Sequence, residues 1–194
     1  MTMRWRDWKE IWICGDKQNE KKEPYKTRLE MAKMHDKYLS RLDVAMDGER
    51  YVEASWLCYA IFEQRIDRII RKHIHKCPKS KRTDNMPPVS ISTKIDCLQR
   101  LTKQRYGPYA DFDKSLLKEI KKWCVSRNEL IHGLVSLEHY KQYDTEFAQL
   151  AKCGVPLVQR LYQQATLVRE WCRGNSFTKF PESNCKCKYK CIKA

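Results

Sequence analysis

The sequence predicts an all-α protein, an antiparallel up-and-down bundle of four to five helices with one short extra helix. Three observations predict it. Glycine and proline are few, six and seven in 194 residues, and β-branched runs are scarce, so little of the chain is marked for tight turns or strands. Apolar residues recur at three- and four-residue intervals over long stretches, the period of a helix that buries one face. Charged residues make up 32% and hydrophobic ones 42%, the balance of a chain with one core and a solvated surface.

Residues 1–21 form a Trp-rich segment in which Trp5, Trp8 and Trp12 follow helical spacing among Arg4, Arg6, Asp7, Lys9 and Glu10. The simpler reading is a short helix that packs its tryptophans on the domain. The other is an aromatic-basic surface that stacks on bases or enters a membrane interface. The helical domain proper spans residues 22–173.

Its first helix, over 22–47, is entered at Pro24 and lines up Leu29, Met31, Met34, Tyr38, Leu42, Ala45 and Met46. Asp47-Gly48 ends it and Glu49 opens the next, so the two helices are antiparallel neighbours. The second helix, over 49–75, is apolar almost all round: Tyr51, Ala54, Leu57, Cys58, Ile61, Phe62, Ile66, Ile69 and Ile70. Such a helix belongs at the centre. Glu63 interrupts that run, either to pair with a buried arginine, Arg127 foremost, or to face solvent. Residues 91–104 read as a short helix capped near Ser92 or Thr93, and Gly107-Pro108 as a turn. Residues 111–134 make a further helix. Residues 138–152 and 155–173 make a last helical stretch, with Leu157, Val158, Leu161, Ala165, Val168 and Cys172 on its apolar face. Pro156 either kinks that stretch or opens its second part. There is no internal repeat, no Gly-rich phosphate loop and no nucleophile elbow.

The formal net charge is +15. That excess predicts attraction to polyanions, with nucleic acid first and an anionic membrane or acidic partner second. Residues 71–82 hold six lysines and arginines and no acid: Arg71, Lys72, Lys76, Lys79, Lys81 and Arg82 are the candidate contacts to RNA phosphates. The tail, residues 174–194, adds five lysines against one glutamate. The N-terminus is charged throughout, without the apolar core of a signal peptide, and no run reaches membrane-spanning length. The expectation is a cytoplasmic protein with no membrane, its ten cysteines reduced and mostly small core residues. His73, His75 and Cys77 together with Cys185, Cys187 and Cys191 hold enough ligands for zinc, but neither segment shows the paired two-residue spacing of such sites. A solvated basic segment, with no metal and no cofactor, is the default.

One stretch concentrates chemistry: Arg127-Asn128-Glu129-Leu130-Ile131-His132-Gly133. Its spacing decides little, because Arg68 precedes His73 by the same interval and Arg28 precedes His35 by a slightly longer one. Context separates them. Leu116, Ile120, Trp123, Leu130 and Leu134 form one stripe on a helix, and Arg127 lies on it. An arginine facing a core or an interface needs a counter-charge or an anionic ligand. Arg68 instead sits with Arg65, Arg71 and Lys72 in a basic, solvated helix end. His132 is followed by Gly133, a natural helix terminus. Five positions along an ideal helix is about 140° of rotation. Arg127 and His132 therefore converge only if the helix stops at Gly133, or if a second copy of the chain brings them together.

From these residues alone, cleavage of RNA through its own 2′-hydroxyl is a reasonable chemistry. An imidazole suits either proton-transfer role near neutral pH. A guanidinium presents a planar fork to phosphate and stays charged, and Asn128 can orient either. Products would be a 2′,3′-cyclic phosphate and a 5′-hydroxyl, and DNA would survive. The plainer alternative for His132 is a helix-end cap on free carbonyls.

The chain resembles the HEPN superfamily, small helical domains named for higher eukaryotes and prokaryotes nucleotide-binding. RNELIHG is similar to that family's Arg, polar residue, three further residues, then His. The hairpin AMDGERYVEASWLCYAIFEQRI resembles its first two helices, with a Gly-x-x-Tyr turn leading into a helix that carries Ala54, Ala60 and a Glu. The order of elements over residues 25–173 is similar as well. The resemblance implies a homodimer whose two motifs share a cleft, and a metal-independent endoribonuclease acting as a toxin, in defence or in RNA processing. It implies Arg127 and His132 as catalytic residues, Asn128 as their support and Glu63 less directly, with an antitoxin or regulatory protein as a possible partner. Leu134 departs from the pattern. Members restrained by a nucleotidyltransferase often have Tyr there, so that mode of control is not implied. The alternative function is a non-catalytic helical module that binds RNA or protein, and a third is a small zinc-stabilised interaction protein.

Overall fold

The computed structural model describes residues 25–76, 90–103, 109, 111–134 and 140–174. Among these residues the chain is an all-α, up-and-down bundle of five helices without strands: α1 (Tyr25–Asp47), α2 (Tyr51–Lys76), α3 (Ile91–Lys103), α4 (Lys114–Gly133) and α5 (Tyr140–Gly174). The Trp-rich segment, the tail beyond Gly174, Lys79, Lys81, Arg82 and the four cysteines of the zinc alternative lie outside the described residues. Arg71, Lys72, His73, His75 and Lys76 belong to the last turns of α2, but their side chains lie outside the described part.

The α1–α2 turn follows from backbone hydrogen bonding. Glu49 N–H donates to Met46 C=O (3.2 Å) and Arg50 N–H to Ala45 C=O (2.8 Å), which closes the exposed end of α1. The residue in the left-handed conformation is Glu49 (φ 53°). Glu49 therefore belongs to the turn, and α2 begins at Tyr51.

As its composition predicts, α2 is central and packs against the other four helices. Ala54, Leu57, Cys58, Ile61, Phe62, Ile66, Ile69 and Ile70 are all buried. They meet Leu42 and Ala45 of α1, Ile95 and Leu98 of α3, Leu116, Leu117 and Ile120 of α4, and Phe147, Val158 and Leu161 of α5 in one core. Burying each such side chain stabilises the fold by roughly 1.5–3 kcal/mol before chain entropy is counted. Met34, expected on the apolar face of α1, is instead exposed. A larger correction concerns Arg65. The sequence places it in a solvated basic end, but it is buried, with its guanidinium 3.8 Å from the centre of the Tyr162 ring. A guanidinium tolerates such a position by stacking its planar face on an aromatic ring.

The caps of α3 and α4 are side-chain oxygens. Ser90, rather than Ser92 or Thr93, caps α3: its Oγ accepts from Thr93 N–H at 3.3 Å. Asp113 caps α4, its Oδ1 accepting from the N–H groups of Ser115 (2.9 Å) and Leu116 (3.2 Å). Arg160 of α5 then clamps this end, reaching Asp113 Oδ2 and Glu119 Oε2 at 2.6 Å each.

The final stretch is one helix of 35 residues with Pro156 inside it, not two. Pro156 offers no N–H to the turn before it, yet it sits on the exposed side, where water can serve the freed carbonyl. Helix α5 is held on its inner side through Gly154. A Cβ there would lie 3.0 Å from three atoms of the Trp123 indole. The missing side chain lets that ring approach closely enough for Nε1 to donate to Leu150 C=O at 2.8 Å. Trp123 in turn meets Phe62 edge-on at 5.2 Å, joining α2, α4 and α5.

Candidate nucleic-acid interface

Helix α4 carries Arg127 on the face that also buries Ile120, Trp123 and Cys124, and the arginine is only 6% exposed. The apolar stripe read from the sequence therefore does carry a buried cation. Its surroundings were not foreseen. The guanidinium carbon lies 4.0 Å from the Trp56 ring centre and 4.6 Å from that of Tyr59, both on α2. Nη1 donates to Asn128 Oδ1 at 3.1 Å. Nε and Nη2 are buried without a hydrogen-bond partner. Burial pulls the guanidinium below its ordinary pKa, partly countered by Tyr59 and Cys124. Burial likewise pushes the Cys124 thiol up to about 12, which makes it a core residue and not a nucleophile.

Glu63 does not pair with Arg127. Its Oε1 accepts from Lys94 Nζ of α3 at 3.1 Å, and the same ammonium lies 3.4 Å from Asp67. The reason is register: Glu63 lies one turn beyond Tyr59 on α2, beside α3, so the lysine reaches it. Among the described residues, no carboxylate hydrogen-bonds or ion-pairs with Arg127.

His132 is exposed. Helix α4 does not stop short of it, since helical geometry runs through Gly133 to Leu134 (φ −58°, ψ −25°). The helix ends at Gly133, as the sequence reading supposed, but both residues lie within it, and Arg127 is buried while His132 is exposed to solvent. Gly133 has a second use. A Cβ there would lie 2.6 Å from the Tyr143 hydroxyl oxygen, so its bare backbone makes room for that ring. Asn128 is exposed, and its Oδ1 accepts from Arg127.

Trp56 and Tyr59 are the residues that sequence reasoning passed over. A signal was present. Val52, Trp56, Tyr59 and Glu63 follow each other at four-, three- and four-residue steps, off the main apolar face of α2. An aromatic pair on that side marks a surface and not a core. Trp56 is 53% exposed and Val52 is also exposed.

No group of three or more His, Cys, Asp or Glu residues among the described residues is placed to hold a metal ion. No described helix is long and apolar enough to cross a membrane. No family model, curated protein or solved structure matches the chain. The class that fold and site define is thus an all-α bundle, consistent with a HEPN-like fold class, with a buried arginine at an aromatic surface.

Proposed function

We propose that this chain is a helical RNA-binding module. Arg127 carries the reading: a cation 6% exposed, held by two rings and one amide, with two donor nitrogens unpartnered. A buried charge without a carboxylate is costly. It is retained most simply where an anion meets it, and a low-dielectric setting strengthens that attraction. The net charge of +15 supplies the long-range part, drawing a polyanion to the surface. Arg71, Lys72, Lys76, Lys79, Lys81, Arg82 and the lysine-rich tail are the further phosphate contacts in this reading.

A second reading is the metal-independent endoribonuclease of HEPN type. It is favoured by one observation, that the arginine of the motif is buried, meets no carboxylate among the described residues and is held by the motif's own Asn128. In that reading Arg127 holds the phosphate and an exposed His132 from a second copy moves the proton. Glu63, held by Lys94, is then a supporting residue and not the partner of Arg127.

Incubation of the full chain with labelled RNA in EDTA separates these. Retention of intact RNA is the expected result. Cleavage to 2′,3′-cyclic phosphate ends, lost in His132→Ala, establishes the nuclease instead. Neither retention nor cleavage overturns both.

A further inference from the structure

We infer that Trp56 is a stacking platform for an unpaired base, which makes single-stranded RNA the preferred ligand; the inference rests on the RNA-binding reading above. The indole is fixed on one side by the Arg127 guanidinium, whose carbon is 4.0 Å from the ring centre. That contact occupies one face of the ring. With 53% of the residue exposed, the ring stays reachable from solvent. Large aromatic surface of this kind is costly to leave wet, and a tryptophan serving only the core would have turned inward as Trp123 does, where its Nε1 finds a carbonyl.

The chemistry around the ring selects the occupant. Charge complementarity favours an anionic partner, because the cation beneath the ring has no carboxylate among the described residues and the chain carries +15 overall. An aromatic face over a fixed guanidinium suits a flat π system attached to a phosphate backbone, that is, a nucleotide. Bases within a duplex are already stacked on their neighbours and cannot lie on the indole, whereas those of a single strand can. The exposed Val52 lies one turn earlier on α2 and extends the platform for the neighbouring sugar or base.

Binding of the full chain to fluorescein-labelled oligouridylate, to an RNA duplex of equal length and to inorganic polyphosphate tests this. Oligouridylate is expected to bind more tightly than the duplex. Trp56→Ala is expected to weaken oligouridylate binding by about five- to a hundred-fold, the usual loss for one stacked base, and to weaken polyphosphate binding much less. Trp56→Phe, which keeps a ring and guards against misfolding of the alanine variant, is expected to recover most of the loss. Equal weakening of oligouridylate and polyphosphate, or no weakening of either, overturns the stacking role. A wild-type chain that binds the duplex as tightly as the single strand overturns the preference. A chain that binds none of the three overturns the RNA-binding reading as well.

Discussion

Arg160 of α5, which clamps the start of α4, and Arg127, near the end of α4, are held in opposite ways. Arg160 is partly exposed and meets two carboxylates and a hydroxyl: Asp113, Glu119 and Ser115. Those hydrogen bonds raise its pKa further above an already high ordinary value. Arg127 is buried, meets two rings and an amide, and has its pKa lowered by desolvation. The first arginine is satisfied by its own chain. The second is not. A charge satisfied internally contributes to stability, while one left with unpartnered donors in the interior marks a candidate functional site.

The comparison breaks most visibly at the clamp. Arg160→Met together with Asp113→Ala removes an N-cap and a doubly bonded guanidinium, and should destabilise the fold by about 2–3 kcal/mol in urea melts. RNA affinity should change little. The converse variant, Arg127→Met, removes a buried charge and replaces it with an apolar side chain of similar reach. Stability should stay within about 1 kcal/mol of wild type, since lost cation–π contact and relieved desolvation oppose each other. RNA affinity should fall about ten-fold or more, by roughly 1.4 kcal/mol. If Arg127→Met instead unfolds the protein with no separate effect on binding, the two arginines do not differ in kind.

A smaller effect comes from acid. Burial pushes the Asp113 carboxyl up, but hydrogen bonds from Ser115, Arg160 and the Leu116 N–H outweigh it and hold the group at about 2. Its folded pKa lies below its unfolded one, so the contribution is present above about pH 4 and is lost as pH falls toward 2. Partly exposed as it is, the pair should account for on the order of 1 kcal/mol of that loss. Acid melts of wild type and Asp113→Asn should converge at the low end of that window. The smallest effect is at the α1–α2 turn. Glu49→Gly relieves a left-handed non-glycine residue and should stabilise by about 0.5 kcal/mol, net of the added freedom of the unfolded chain.

Much of the bundle was legible because its signals are local. The period of Leu57, Ile61 and Phe62 on α2, or of Leu157, Leu161 and Val168 on α5, needs only neighbours in sequence. Errors fell where two distant segments decide. Glu63 read as a partner of Arg127 or a solvent-facing residue, and the position of α3 gave it Lys94 instead. Arg65 read as a solvated end residue until Tyr162, far along the chain, covered it. Pro156 read as a kink or as the opening of a second part, and it lies inside one long helix at an exposed position. Gly133 read as a stop signal and α4 does end there, but the second use of its bare backbone, space for Tyr143, rests on a residue of the next helix.

By itself the sequence determined an all-α chain, the number and order of its main helices, the inward face of α4, and a strong positive charge. These depend on composition and on periodicity along one strand of chain. Only the tertiary structure decided that Arg127 lies between Trp56 and Tyr59, that no carboxylate among the described residues joins it, and that His132 is exposed to solvent. Which side chains neutralise or cover a buried charge depends on how helices α2, α3 and α4 are set against each other, and spacing along a single helix carries no record of that.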